Sequence, residues 1–144
     1  MRDKKEILGL IEKVKIYNPI NQKSASLYAL IDTGATSSSL DLKIAGKLNL
    51  MITGSRIIRS KTIITDRIIR PTVKAIVEIK GIKMELDTIT IADRSNLTLP
   101  MIIGRDALYG RFIVDVSLTH KSREITDLIK KININEVIYH EQQS

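Results

Sequence analysis

The segment Ala29-Leu30-Ile31-Asp32-Thr33-Gly34-Ala35-Thr36-Ser37-Ser38-Ser39-Leu40 is where this sequence most plainly places a reactive group. Three apolar residues deliver one carboxylate into a turn of small residues. Gly34 lets the backbone approach closely there, and the Thr33 hydroxyl can brace the turn. A carboxylate held in this way can take a proton from water or return one to a leaving nitrogen, the two tasks of amide hydrolysis. The same residues equally make an Asx turn at a strand end with no catalytic role. Asp-Thr-Gly alone is a weak signal; the apolar lead and the Ala-Thr-Ser sequel make it more specific.

Other chemistries find less support. There are no cysteines, so disulfides and thiolate zinc sites are excluded. His120 and His140 are far apart in sequence, with no His-Glu-x-x-His, and no Gly-x-x-x-x-Gly-Lys-[Ser/Thr] loop is present for nucleotide phosphates. No metal ligands and no cofactor are expected. The remaining acids read as structural. Asp66 falls near a hairpin tip, Asp93 beside Arg94 reads as an ion pair fixing a strand end, and Asp106 and Asp115 are candidate partners for Arg105 or Arg111.

The elements that must position Asp32 are mostly strands. Residues 7–17 alternate loosely and read as one strand, and residues 24–31 as a second that ends at Asp32. Asn18-Pro19-Ile20-Asn21 makes the turn between them. Residues 40–48 read as a strand or a short helical turn. From Arg56 the pattern is strongly β, with Val73, Ala75, Val77 and Ile79 alternating before a turn at Gly81. Ile82, Met84 and Leu86 resume the alternation, and the phase then shifts to Ile89 and Ile91, which predicts a bulge near Asp87-Thr88. A short helix is expected over 105–109 and a strand over 113–116. Ile125, Leu128, Ile129 and Ile132 have the spacing of an amphipathic helix over 123–132, followed by a polar, fraying tail.

Pro100-Met101-Ile102-Ile103-Gly104-Arg105-Asp106-Ala107-Leu108 changes the weight of the first motif. An apolar strand, a glycine, an Arg-Asp pair and a short helix follow one another. Taken with Asp32-Thr33-Gly34, this order resembles the retropepsin-like aspartic proteases, which pack an Ile-Ile-Gly-Arg stretch behind the catalytic loop. Within that clan the sequence is similar to the RimK/LysX-associated branch, whose members often go under the label of putative ATP-dependent zinc proteases. The carrying residues are Ile7-Leu8-Gly9-Leu10, Ile31-Asp32-Thr33-Gly34-Ala35, Arg70-Pro71-Thr72-Val73 and Ala92-Asp93-Arg94-Ser95-Asn96-Leu97. They continue through Met101–Leu108 and Gly110-Arg111-Phe112-Ile113-Val114-Asp115, so the likeness spans roughly residues 7–116.

The resemblance implies a mostly β, retropepsin-like closed β-barrel over residues 1–118, with a short helix after Gly104. The C-terminal extension, 119–144, would hold the amphipathic helix and the tail. It implies peptide-bond hydrolysis, with Asp32, Thr33 and Gly34 as the catalytic loop. Ala35, Thr36, Ile63, Ile64 and Ile102 would touch substrate, and Gly104, Arg105 and Asp106 would support the loop. The chain is too short for the two-lobed aspartic proteases and carries one such loop. The second carboxylate must then be Asp32 of a partner subunit in a homodimer. Close like charges would keep one acid ionised and one protonated. Two departures stand out. Thr36 occupies a position that is usually charged, so Arg105 needs another partner, with Asp106 or Asp115 the candidates. The expected flap, about residues 56–72, has no glycine.

Charge and composition bound the partners. The chain carries 23 Lys+Arg against 16 Asp+Glu, a net charge of +7. Acidic peptides or proteins are a fitting use of that charge. Nucleic acid is disfavoured, because the cations are scattered and four tyrosines and one phenylalanine are too few for a stacking platform. No apolar run approaches the ~20 residues of a membrane span, and the charged N-terminus does not read as a secretory signal, so a cytoplasmic location is expected. Two other functions remain open. One is a non-catalytic retropepsin-like module for peptide binding or dimerisation, and the other a basic nucleic-acid-binding barrel.

Overall fold

The computed structural model describes residues 4–59, 67–118 and 138–141. The chain forms strands β1 (Glu6–Leu8), β2 (Ile11–Tyr17), β3 (Lys23–Ile31), β4 (Ser39–Asp41), β5 (Ile52–Arg59), β6 (Arg67–Ile79), β7 (Ile82–Ala92), β8 (Met101–Ile103), β9 (Phe112–Val114) and β10 (Ile138–Glu141). Two short helices, α1 (Leu42–Lys47) and α2 (Arg105–Leu108), interrupt them. The expected helix over 123–132, the hairpin tip with Ile63, Ile64 and Asp66, and His120 lie outside the described residues.

Six strands close a β-barrel in the order β3-β2-β6-β7-β4-β8, with β8 running parallel to β3 to complete the circle. The closure follows from period-two patterning. Val14 and Ile16 of β2, Ala25, Leu27, Ala29 and Ile31 of β3, and Val73, Ala75, Val77 and Ile79 of β6 all point inward and are buried. Each large aliphatic side chain so buried contributes about 1.5–3 kcal/mol. Alanines at 25, 29 and 75 leave room for the larger side chains opposite, as a narrow barrel requires.

The bulge expected near Asp87-Thr88 is present. Val73 pairs with Ile89 and Ala75 with Leu86, so β7 carries one more residue than β6 over that stretch. The extra residue turns Ile89 and Ile91 back into the core after Met84 and Leu86, and all four are buried.

Residues 7–17 differ from the single strand read from sequence. The chain breaks at Gly9, leaving β1 to pair in parallel with β9. A β-carbon on Gly9 would lie 2.0 Å from the Leu118 carbonyl oxygen, so no larger residue fits this crossing. Leu10 N donates to that same oxygen and Gly9 N to the Glu12 carboxylate. Residues 40–48 resolve into the end of β4 followed by α1, because Asp41 caps the helix by accepting from Lys43 N. Ile138–Glu141, within the tail expected to fray, pair antiparallel with Lys23–Ser26 of β3. The unpaired edge of β3 offers them backbone partners that polarity alone does not reveal. No helix among the described residues is long and apolar enough to cross a membrane.

Candidate active site

Asp32 sits where β3 runs out beside β8. The parallel register Ala29↔Met101, Leu30↔Ile102, Ile31↔Ile103 carries the two strands to the loop together. Asp32 N then donates to Ile103 O at 2.9 Å, so the residue is tied by its backbone to the closing seam of the barrel. Ala35 N donates to Asp32 O, and Gly34 N donates to Asp32 Oδ1 at 2.9 Å. That last bond braces the turn. The Thr33 hydroxyl, expected to do so, is exposed and makes no hydrogen bond among the described residues. Asp32 is partly exposed, with its Oδ1 engaged by Gly34 N.

The residues that follow are clamped onto the start of α2. Arg105 N donates to Ala35 O at 2.8 Å and Asp106 N to Thr36 O at 3.2 Å. Gly104 makes this possible, since a β-carbon there would lie 2.6 Å from the Ser37 carbonyl carbon and 2.9 Å from Ala35 O. Ser38, fully buried, joins the two segments. Its Oγ accepts from Gly104 N and donates to Asp106 Oδ1 at 2.7 Å, while its N–H donates to the same carboxylate. Ala107 N also donates to Asp106 Oδ1.

The charged partners differ from the sequence expectation. Arg105 Nη2 donates to Thr36 Oγ1 at 3.1 Å, not to Asp106 or Asp115. The Asp106 carboxylate is already filled by Ser38 and Ala107, and Asp115 is engaged with Ser117 N and Oγ. A hydroxyl thus serves where a carboxylate was sought. Arg111 meets the carbonyl oxygens of Asp106 and Ala107, not an acid. Nor do Asp93 and Arg94 pair through their side chains. Asp93 accepts from Ser95 N, which with the Ser95 side chain holds its pKa below the usual carboxylate value.

Arg94 belongs to a buried arrangement that sequence reasoning missed. Asp41 is fully buried; its Oδ1 accepts from Arg94 N at 2.8 Å and its Oδ2 caps α1. Arg94 Nε donates to Leu99 O. Burial lowers the guanidinium's pKa and the Asp41 charge opposes that shift. The one signal available was an aspartate placed immediately before the apolar-periodic Leu42–Lys47, an N-cap position.

A cleft of about 820 Å³ opens between the loop, the β5–β6 hairpin and the bulge of β7. Hydroxyls line it, from Thr36, Ser37, Thr53 and Thr72, together with Arg56, Lys74, Asp87 and Asp106. Of the expected substrate contacts, Thr36 is on its wall. Ala35 lies in the clamped loop, and Ile102, half-buried, lies between β3 and β4 on the seam. The hairpin arms fall close to the expected flap, and their base is held by Thr53 Oγ1, which meets Thr72 Oγ1 and donates to Asp87 O. Arg56 reaches across to Ser37 Oγ. Among the described residues no group of three or more acids or histidines could hold a metal ion.

No family model and no curated protein matches the chain. Solved structures do. A Legionella pneumophila protein of unknown function (Lpg0085, DUF785) matches at 21% identity over 82% of this chain and 98% of its own, with a TM-score of 0.55. The neighbours also include EIAV protease complexed with the inhibitor HBY-793, at 22% identity over 67% of this chain and 81% of its own, TM-score 0.42. A retropepsin-like aspartic protease from Rickettsia conorii matches at 16% identity over 69% of this chain and 80% of its own, TM-score 0.39. The chain is a mostly β protein whose closed barrel is consistent with a retropepsin-like fold.

Proposed function

We propose that this chain is one subunit of an aspartic endopeptidase of the retropepsin-like kind, active as a homodimer. The observation that carries the reading is the placement of Asp32, a partly exposed carboxylate fixed by its own backbone to Ile103 and by its side chain to Gly34. Amide hydrolysis needs a base for the water and an acid for the leaving nitrogen. One such loop per chain supplies half of that pair, so a second Asp32 across a two-fold axis completes it. The dyad then shares a proton, and its two titrations belong to the pair. Assignment to the RimK/LysX-associated branch rests on the motifs quoted above.

An apolar groove of about 400 Å³ beside the end of β3 supports pairing with a second copy. Leu10, Ile11, Leu30, Leu97 and Leu99 line it, and Leu30 lies two residues before Asp32. Leu30 is 36% exposed and Leu97 55% exposed in the single chain. A second copy seated there would lie against the strand that leads into Asp32. A second reading is a peptide-binding module that does not cut, favoured by β5, which among the described residues pairs only with β6 and leaves its other edge for strand addition.

Cleavage of a peptide library by wild type and Asp32→Asn separates the two. Asparagine keeps an oxygen for Gly34 N and loses the titrating group, so the fold stays and the rate falls by about 10³-fold or more. Undiminished cleavage by the variant would remove the mechanism.

A further inference from the structure

The β5–β6 hairpin carries positive charge that no carboxylate among the described residues pairs with. In the hairpin register Arg56 stands directly opposite Arg70. Directly opposed residues project to the same face with Cβ atoms about 5 Å apart, and like charges so placed repel. Arg56, Thr72 and Lys74 line the cleft. Alternation along β6 puts Arg70 on the face of Thr72 and Lys74. The Arg56 guanidinium donates to Ser37 Oγ, a neutral acceptor. Among the described residues neither Arg56 nor Arg70 forms an ion pair with a carboxylate. The Arg70 charge is felt instead by Arg94, a third cation.

Of the other charged groups of the cleft, Lys74 and Asp106 are already engaged. Lys74 pairs with Glu85 at 2.5 Å, and Asp87 also acts on it. The Asp106 carboxylate is filled by Ser38 and Ala107. Two guanidinium forks therefore remain on one face of the hairpin, above a wall of hydroxyls that can donate to an anion but cannot neutralise a cation. The planar fork matches a carboxylate with two parallel bonds, and an anion between Arg56 and Arg70 would relieve their repulsion.

We propose that Arg56 and Arg70 form a carboxylate-recognition pair that selects peptides with an Asp or Glu side chain where they pass the β5–β6 hairpin. This rests on the cleft being the peptide site of the proposed protease, and it names the determinant of specificity. Phosphate would satisfy the same forks, but the sparse aromatics offer bases nothing to stack on.

The test uses full-length Asp32→Asn protein, which binds without turnover. Fluorescent peptide libraries carrying Glu or Gln at one fixed position in turn are titrated by anisotropy. At one or more positions Glu binds about tenfold more tightly than Gln, a difference of one decade in Kd. Adding Arg56→Gln or Arg70→Gln collapses the ratio to within about twofold, while Lys13→Gln, an equal loss of charge at an exposed site, leaves it intact. Equal affinity for Glu and Gln libraries at every position overturns the proposal. So does a preference that survives both arginine substitutions, or an oligonucleotide that binds more tightly than any acidic library and is lost with Arg56. Wild-type cleavage is followed alongside. Cleavage without Glu preference sinks the recognition pair alone; Glu-selective binding without cleavage sinks catalysis alone.

Discussion

Gly104 and Ser37 touch backbone to backbone, so closely that a β-carbon on Gly104 would sit 2.6 Å from the Ser37 carbonyl carbon. The contact holds the loop that carries Asp32 against α2. Because both sides are main chain, neither can swing aside. Gly104→Ala should lower stability by about 1–3 kcal/mol through overpacking and loosen the loop. Gly46→Ala is the control, since nothing lies within 4 Å of a β-carbon there. In the helical α1 that change should be neutral or stabilising by up to about 1 kcal/mol. Urea denaturation of both variants reads the difference. Equal stability of the two would show that the loop can retreat from α2.

Asp106 should matter more than its exposure suggests. Asp106→Ala strips the acceptor from the buried Ser38 N–H and hydroxyl, while Ala107 N keeps Gly104 O. Leaving such donors unsatisfied costs about 1–3 kcal/mol. Ser38→Ala strands one buried donor, Gly104 N, but leaves the Ser38 N–H bonded to the carboxylate, so it should cost less. Thermal unfolding of the two variants gives the order, and the reverse order would move the anchor from Asp106 to Ser38.

Acid should weaken the fold through two exposed turns. Hydrogen bonds from Ser95 to Asp93 and from Ser117 to Asp115 hold both carboxyl pKa values below the usual one. A folded-state pKa below the unfolded value gives stability that is present above the unfolded value of about 3.9 and lost as pH falls through the folded one. Ser95→Ala and Ser117→Ala should each raise the pKa of the neighbouring carboxyl. NMR titration of the side-chain carboxyl carbons measures this directly. Unchanged titration would mean that the serines do not hold these carboxylates in solution.

Leu97→Lys tests pairing through the groove beside β3. Leu97 is more than half exposed, so the single chain should fold normally. A charge placed in a covered apolar contact costs several kcal/mol, enough to shift association by orders of magnitude. Sedimentation velocity should show dimer for wild type and monomer for the variant, with proteolysis lost in step. An active Leu97→Lys monomer would contradict a shared site.

Local pattern carried much of the fold. The phase change between Leu86 and Ile89 located the bulge, and the run from Pro100 to Leu108 located strand, glycine and helix. Positions whose partners are distant in sequence were harder to read. Arg105 finds Thr36, a residue 69 positions away, and no charge pattern marks a hydroxyl as its acceptor. Asp41 meets Arg94 across the fold, and its local signal, that of a helix cap, says nothing of that partner. The break at Gly9 depends on a carbonyl from Leu118, and β10 on an edge of β3 left free by β8. In the site itself Asp32, Gly34 and Gly104 could be found by type and order. The cations of the cleft could not, because which faces of β5 and β6 meet the loop is a matter of register.

The bond from Asp32 to Ile103 is the last rung of the ladder that zips the barrel shut. Beyond that rung the chain is held again, by Arg105 N on Ala35 O and by Gly104 against Ser37, so the acid has no loose end from which to peel away. Warming should therefore free Asp32 only when the seam itself parts, in one step with the barrel and not as an early local loss.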